Sequence, residues 1–294
     1  MTSPSSDWSF RKRDTSHNSR GRGPRAKGSN SQLYREVADF FWGRPRPGEN
    51  PKVAAFMFRA MVGLRNLLNM IGVKSGERTV EYNWLLENLR HAKSPESVHL
   101  STLTQATDRR RLLDVGCGYS RLDCVLHFLG YETYAIDVNE PRYVFAEIQR
   151  FKKADITERP FPENFFDVII AISTLEHLGI GAFEDPLIED GDLLAMKQMH
   201  DMLRVNGEVL LTGPFSPRPL LTWHRFYDPS RLDLLKRGFK VVKETYYVNR
   251  GRRWSAVSLD EASTYVESRG PFLFAAGGPN ALFCIKLRKN SIIS

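Results

Sequence analysis

The stretch that decides the fold is Leu112-Leu113-Asp114-Val115-Gly116-Cys117-Gly118-Tyr119-Ser120, in which a short apolar run ends at two closely spaced glycines. Such a run predicts a buried β-strand, and glycine lets the backbone turn tightly and approach a ligand because it has no Cβ. The following residues predict a helix over 120–129, whose first N–H groups would face the same ligand and favour an anion. Taken alone, the stretch fits an ordinary strand-to-helix turn equally well.

The residues after this turn alternate between strand and helix patterns. We predict strands over 111–115, 131–137, 151–154, 166–173, 207–212, 238–248 and 281–288, and helices over 120–129, 141–150, 191–204 and 229–236. Alternation of this kind predicts an α/β fold with a doubly wound, mainly parallel sheet. The continuous apolar run at 166–173 is typical of a strand that is covered on both faces.

The residues before the sheet divide into two parts by composition. Residues 1–30 contain seven Lys or Arg against two Asp, and therefore hold five of the eight net positive charges of the chain. Their composition predicts a disordered basic tail that could contact nucleic acid weakly. Residues 31–108 predict a helical extension with helices over 32–42, 52–71 and 79–91. The nearly neutral remainder, 109–294, would form the domain that contains the sheet.

The composition of the 294 residues excludes several classes of protein. Hydrophobic residues make up 41% of the chain, which is too many for a wholly disordered protein. Three cysteines without a CxxC pair indicate a reducing compartment and no metal site. The N-terminus lacks the apolar core of a secretory signal, and arginines and asparagines interrupt the apolar run 53–73. We therefore expect a cytoplasmic protein with no transmembrane segment.

Acidic and small residues follow the predicted strands at the points where a nucleoside would bind. Asp137 closes the second strand nineteen residues after Gly118, where a carboxylate can accept both hydroxyls of a ribose. Asp155 follows the third strand and could meet an adenine edge. Ligands bind beyond the carboxyl ends of strands in open α/β sheets, so these positions predict one nucleoside site. A dinucleotide fingerprint would need a third glycine at position 121, where the chain has Arg121.

Five stretches together resemble the class I S-adenosylmethionine-dependent methyltransferases, over roughly residues 110–215: LLDVGCGYS, YAIDVNEP, ADI, FDVIIAISTLEHLG and MLRVNGEVLLTGPF. The resemblance implies a Rossmann-like, seven-stranded sheet in the order 3-2-1-4-5-7-6 with strand 7 antiparallel. It also implies S-adenosylmethionine as the methyl donor and cofactor. Ser120 departs from the pattern, because many members have a third glycine there.

The resemblance further implies which residues hold the donor. They are Asp114, Gly116, Cys117, Gly118, Asp137, Asp155, Ile156 and Ser173. The two glycines would lie against the methionine part, and Asp137 would hold the ribose. Asp155 and the backbone of Ile156 would flank the adenine, while Ser173 would lie near the methionine end.

Two histidines are candidates for the chemistry at the acceptor. His177, in the stretch 173–179 after the fourth strand, could act as a general base. In many family members a Glu-His pair at this place shapes the donor pocket, and we favour that role. His224 lies in the loop 214–228, where Trp223 could stack on a ring and Arg218 or Arg225 could bind a carboxylate or phosphate. This loop could equally be a cover packed on the sheet.

The acidic stretch 179–192 lacks the spacing of a calcium-binding loop, so we expect Asp190 or Asp192 to begin the following helix rather than bind a metal. A looser likeness to methyltransferases among cell-surface glycan enzymes favours O-methylation of a small-molecule or glycan acceptor.

Three alternatives remain open at this stage. An RNA methyltransferase could use the basic tail, although residues 171–174 lack the motif of base-methylating members. A non-catalytic nucleoside sensor or scaffold would be expected to lose Gly116, Gly118 or Asp137, and all three are present. A membrane-surface protein could use residues 53–73 as an amphipathic anchor.

Overall fold

The strand Arg111–Val115 (β1) lies inside an eight-stranded sheet. The computed structural model of the chain describes residues 50–70, 76–89, 109–118, 120–140, 149–181, 187–251, 253–272 and 278–290. Further strands of the sheet are Glu132–Asp137 (β2), Gln149–Lys153 (β3), Phe166–Ile172 (β4) and Leu203–Pro214 (β5). A small hairpin, Leu220–Leu221 (β6) and Arg225–Phe226 (β7), precedes the last three, Phe239–Asn249 (β8), Trp254–Val257 (β9) and Ala281–Lys289 (β10).

The strand order is β3-β2-β1-β4-β5-β10-β8-β9. The first five strands are parallel to one another. Strand β10 is antiparallel to both β5 and β8, and β9 pairs antiparallel with β8. Apart from the edge strand β9, this is the order 3-2-1-4-5-7-6 with an antiparallel strand 7. The predicted fold class is confirmed, and β9 adds an eighth strand to the expected seven.

Helices cover both faces of the sheet. Helices Pro51–Met70 (α1), Arg78–Asn88 (α2) and Leu122–Phe128 (α3) share one buried cluster with β1, β4 and β10. Helices Gly191–Met202 (α4), Pro229–Leu235 (α5) and Leu259–Arg269 (α6) contribute to the cluster on the other side. None of the helices within the described ranges combines the length and apolar character that crossing a bilayer requires.

Several predicted boundaries differ from the structure. The helix predicted over 141–150 is wrong at its end, because Gln149 and Arg150 belong to β3 and pair with Thr133 and Tyr134. The helix predicted over 191–204 ends at Met202, since Leu203 already pairs with Phe166 of β4. Residues 141–148 and the helix predicted over 32–42 lie outside the described residues.

Three elements were not predicted: the β6–β7 hairpin, β9 and α6. Helix α6 had a readable signal, because Ser258 and Glu261 form a capping box at its start. The hairpin strands contain two residues each and are too short for a periodic pattern.

Candidate functional site

The glycine turn after β1 has a shape that only glycine allows at its first position. Gly116 has φ +71° and its N–H donates to the carbonyl oxygen of Ile136 at 2.8 Å. A Cβ on Gly116 would lie 2.6 Å from Thr174 Oγ1, closer than real side chains approach. Gly118 has φ +53°, and a Cβ there would meet no atom within 4 Å. The second glycine therefore borders open space that a ligand can fill.

The carboxylate of Asp137 binds the backbone of this turn at Gly118. Its Oδ2 accepts a hydrogen bond from the Gly118 N–H at 3.0 Å, and its Oδ1 accepts one from the Asn139 N–H at 2.9 Å. Each carboxylate oxygen can accept more than one hydrogen bond, so the half-buried group retains capacity for two hydroxyl donors. This geometry fits a ribose.

Asp155 begins the short 3-10 turn Ile156–Glu158. Its Oδ1 accepts from the Thr157 N–H at 2.8 Å, which is the hydrogen bond of an N-terminal cap. The Ile156 side chain is buried against the sheet. The cap fixes the direction of the backbone beyond β3, where the sequence places the adenine.

Two carboxyl groups lie buried beneath the turn, Asp114 of β1 and Asp123 of α3. The pKa of Asp114 is raised well above its ordinary value, first by burial and then by the charge and hydrogen bond of Asp123. A hydrogen bond between two carboxyl groups requires a shared proton. Burial also raises the pKa of the neighbouring Cys117 thiol, and Cys117, Cys124 and Cys284 are all buried and free. Asp114 and Cys117 therefore support the turn from within the protein.

Ser173, the first residue after β4, has φ +46° and contacts the buried carboxylate of Glu81, which was not among the predicted site residues. Its hydroxyl donates to Glu81 Oε1 of helix α2, and the Thr212 hydroxyl of β5 donates to the same oxygen at 2.7 Å. Glu81 Oε2 accepts from Arg78 Nη1 at 2.9 Å. The helical extension thus reaches the carboxyl ends of β4 and β5.

A signal for Glu81 was present in the sequence. Glu81, Leu85 and Leu89 are spaced by four residues, so the carboxylate lies on the apolar face of its helix. Glu81 and Leu85 are fully buried. A charged residue on such a face indicates a buried polar network, and the prediction considered only the apolar members.

Glu176 is a second buried carboxyl group beside the site. Its side chain lies close to Gly213 of β5, and its Oε2 accepts no hydrogen bond from the described residues. Burial, as the first cause, raises its pKa to about 8. Glu176 is therefore largely protonated at neutral pH.

His177 and His224 are brought together, with ring centroids 6.1 Å apart. Trp223 stands beside both, 6.2 Å from His177 in a stacked arrangement and 3.8 Å from His224 edge to face. Burial is the first cause that lowers the pKa of His177 to about 4, followed by the charges of His224 and Arg78. Burial also lowers the pKa of His224. Both imidazoles are neutral at neutral pH.

The arginines of this loop differ in their surroundings. Arg225 Nη1 lies 3.0 Å from Asp192 Oδ1, and the same guanidinium donates to the carbonyl oxygens of Leu178 and Glu189 at 3.3 and 3.2 Å. Arg225 is thus committed to the protein. Arg218 is exposed and lies 3.9 Å from Glu267.

The acidic stretch before α4 forms ion pairs. Asp190 is the N-terminal cap position of α4 and Asp192 lies in its first turn, as the sequence predicted. Arg231 of α5 pairs with Asp192 and lies 2.8 Å from Asp190. These carboxylates join α4, α5 and the β6–β7 hairpin.

Part of the chain is similar to a known protein family. A family model described as a methyltransferase domain matches residues 113–211. No curated protein sequence matches the chain.

Solved structures of low sequence identity are also similar. The YcgJ protein of Bacillus subtilis is 17% identical over 62% of this chain and 93% of its own, with a TM-score of 0.42. An S-adenosylmethionine-dependent methyltransferase of Mesorhizobium loti is 14% identical over 71% and 97%, with a TM-score of 0.43. The 1,6-didemethyltoxoflavin-N1-methyltransferase of Burkholderia thailandensis, crystallised with 1,6-didemethyltoxoflavin and S-adenosylhomocysteine, is 17% identical over 84% and 93%, with a TM-score of 0.44.

The residues present fit the donor of this family. The turn is open above Gly118, and Asp137 retains acceptor capacity at the end of β2. The family match covers β1 to β5 for most of their length, where these residues lie. Residues 113–211 therefore match a methyltransferase domain, a family that uses S-adenosylmethionine as its donor.

Proposed function

We propose that the chain methylates an oxygen of a small, ring-containing acceptor, with a sugar or glycan precursor as the leading class. The observation that supports this proposal is the position of Trp223, whose side chain is 58% exposed although its ring edge contacts His224. An exposed indole held by a neighbour offers a fixed apolar face on which a ring can stack. It lies beside His177, close after β4, on the side where an acceptor would meet the donor.

The charges near Trp223 favour a neutral acceptor group over an anionic one. Arg225 is engaged by Asp192 and two carbonyl oxygens, so it is not free to clamp a carboxylate or phosphate. Arg218 is largely in solvent. A hydroxyl group therefore suits the surface beside Trp223 better than an acid that needs an ordered cation.

Within the donor site, we assign the methionine part to the turn at Gly116 and Gly118, and to Ser173. Asp137 would bind the ribose hydroxyls through its remaining lone pairs. Asp155 and the Ile156 backbone would border the adenine.

S-adenosylmethionine, when bound, supplies a methyl group on a positively charged sulfur that leaves as a neutral thioether. The protein must hold the acceptor oxygen in line with that methyl group, and orientation supplies much of the acceleration. His177 would accept the proton of the acceptor hydroxyl at a ring nitrogen when that oxygen is methylated. The lowered pKa of His177 leaves this imidazole unprotonated at neutral pH, and it also makes the imidazole a weaker base than an exposed histidine. His224 orients Trp223 and His177 through its ring contacts.

The proposal is tested by measuring S-adenosylhomocysteine release with a panel of sugars, nucleotide sugars, uronic acids and phenols. With an accepted sugar, Trp223→Ala should raise KM about five- to tenfold with little change in kcat, because a ring contact contributes about 1 kcal/mol. Leu221→Ala is the matched control, since Leu221 is 61% exposed on the same hairpin. Equal effects of the two substitutions would contradict the stacking role.

His177→Gln separates the proton acceptor from the binding surface in the same assay. We expect kcat to fall by about 10²- to 10⁴-fold, with unchanged affinity for S-adenosylhomocysteine. A fall of kcat by less than threefold would exclude His177 as the base. Transfer to RNA by the intact chain, with none to any ring-containing small acceptor, would overturn the proposed acceptor class.

A further inference from the structure

Arg78, the first residue of α2, reaches from the helical extension to the edge of the sheet. Its Nη1 donates to Glu81 Oε2 at 2.9 Å and to the carbonyl oxygen of Ile172, the last residue of β4, at 3.2 Å. Arginine carries five N–H donors, and the Nε and Nη2 groups of Arg78 form no hydrogen bond with the described residues. The side chain remains 29% exposed. One nitrogen is therefore anchored while the other two can meet a ligand.

The guanidinium of Arg78 lies next to the glycine turn. Thr174 Oγ1 donates to the Val115 carbonyl oxygen at 3.0 Å and lies 3.3 Å from the same Ile172 carbonyl oxygen. The Thr174 side chain is also the one that a Cβ on Gly116 would strike. The positive charge of Arg78 lowers the pKa of Asp114 against the larger effect of burial, which agrees with this proximity.

Glu81 fixes the position of Arg78. The Glu81 carboxylate is fully buried, and its Oε1 is held by the hydroxyls of Ser173 and Thr212. Its other oxygen is therefore directed at the guanidinium, and Arg78 is held in place before any ligand arrives. A group ordered in advance loses less conformational freedom on binding.

The acidic groups around the turn make a nearby cation favourable for binding an anionic ligand. Asp137 lies on one side of the turn and the acidic pair Asp114 and Asp123 lies beneath it. These groups oppose a carboxylate, although the turn also offers backbone N–H groups. Arg121 is buried there and already interacts within the protein.

We propose that Arg78 binds the carboxylate of the methionine part of the donor through its Nε and Nη2 groups. The methionine part of the donor is expected at the glycine turn, and paired N–H groups of arginine match the two oxygens of a carboxylate. The helical extension is then part of the donor site. This inference rests on the assignment of the donor to the turn.

Calorimetric titration with two ligands tests the proposal. S-adenosylhomocysteine contains the amino-acid carboxylate, whereas 5′-methylthioadenosine keeps the nucleoside and lacks that group. Arg78→Gln should weaken S-adenosylhomocysteine about ten- to hundredfold and leave 5′-methylthioadenosine within twofold of wild type. Arg59→Gln, at an exposed arginine of α1, is the matched control and should change neither affinity.

A second variant guards against a folding defect. Arg78→Gln leaves the buried Glu81 without its cation, which can lower the melting temperature. The double substitution Arg78→Gln with Glu81→Gln removes both charges and should show the same selective loss at a melting temperature near that of wild type. Wild-type affinity of this folded double variant for S-adenosylhomocysteine, or equal weakening of both ligands, would overturn the role of Arg78. Failure of wild type to bind either ligand would instead refute the donor site itself.

Discussion

The buried carboxyl group of Glu176 makes the stability of the folded protein depend on pH. Its pKa is raised to about 8 in the folded protein, above the ordinary value of an exposed glutamate. The folded state therefore holds a proton that the unfolded state has lost between about pH 4.5 and 8. Stability from this group is fully present below the unfolded pKa and is lost as pH rises through the folded pKa.

Glu176→Gln should remove this pH dependence, because glutamine keeps the shape of the neutral acid. We expect the difference in unfolding free energy, variant minus wild type, to increase by about 1–3 kcal/mol between pH 5 and pH 8. Urea denaturation at pH 5, 6.5 and 8 measures the difference. Glu267→Gln, at a residue 52% exposed, is the control and should show a constant offset. A constant offset for Glu176→Gln as well would show that the carboxyl group is ionised in the folded protein at pH 5.

Some contacts between single residues could be predicted from the sequence, and others could not. Gly116, Gly118 and Asp137 meet at one turn, as their spacing predicted. The network of Glu81 with Ser173 joins residues 92 positions apart, and no local pattern specifies such a contact.

The turn after β1 allows a test at the scale of one element. Gly116→Ala places a Cβ against Thr174 at a positive φ, so we expect a loss of about 2 kcal/mol or more in unfolding free energy. Gly118→Ala meets open space and should cost about 1 kcal/mol from its φ alone. Thermal and urea denaturation measure the loss of stability in both variants.

The same two variants should differ in what they do to donor binding. The Cβ of Gly118→Ala would occupy the space assigned to the donor, so this variant should stay folded and bind S-adenosylhomocysteine less tightly. Full affinity in folded Gly118→Ala would contradict the placement of the methionine part over this glycine.

Elements with a strong local pattern were predicted well. The strand β1 has the predicted bounds, and the apolar run of β4 differs by one residue. The end of α4 was misplaced because the pairing of Leu203 with Phe166, a contact across the sheet, ends the helix. The β6–β7 hairpin depends on contacts with α4 and α5 through Asp192, which its own residues do not reveal.

At the scale of the whole molecule, the sheet order was predictable from the alternation of elements and the family resemblance. The position of the helical extension against the sheet was not predictable in this way. Helices α1 and α2 share a buried cluster with α3 and the sheet, and Lys286 of β10 donates to the carbonyl oxygen of Asn88 at 2.9 Å. The extension is thus integrated with the sheet, and Arg78 and Glu81 bring it to the end of β4, beside the proposed donor site. Such placement depends on long-range packing.

The central claim is that the turn at Gly116 and Gly118, with Asp137, binds S-adenosylmethionine. Its most direct test is calorimetric titration of S-adenosylhomocysteine into wild type, Asp137→Ala and Asp233→Ala, where Asp233 is 76% exposed on α5. We predict micromolar binding by wild type and Asp233→Ala, and a loss of at least tenfold in folded Asp137→Ala, because the ribose hydroxyls lose their acceptor. Equal affinity of all three proteins, or no binding by folded wild type, would contradict the account.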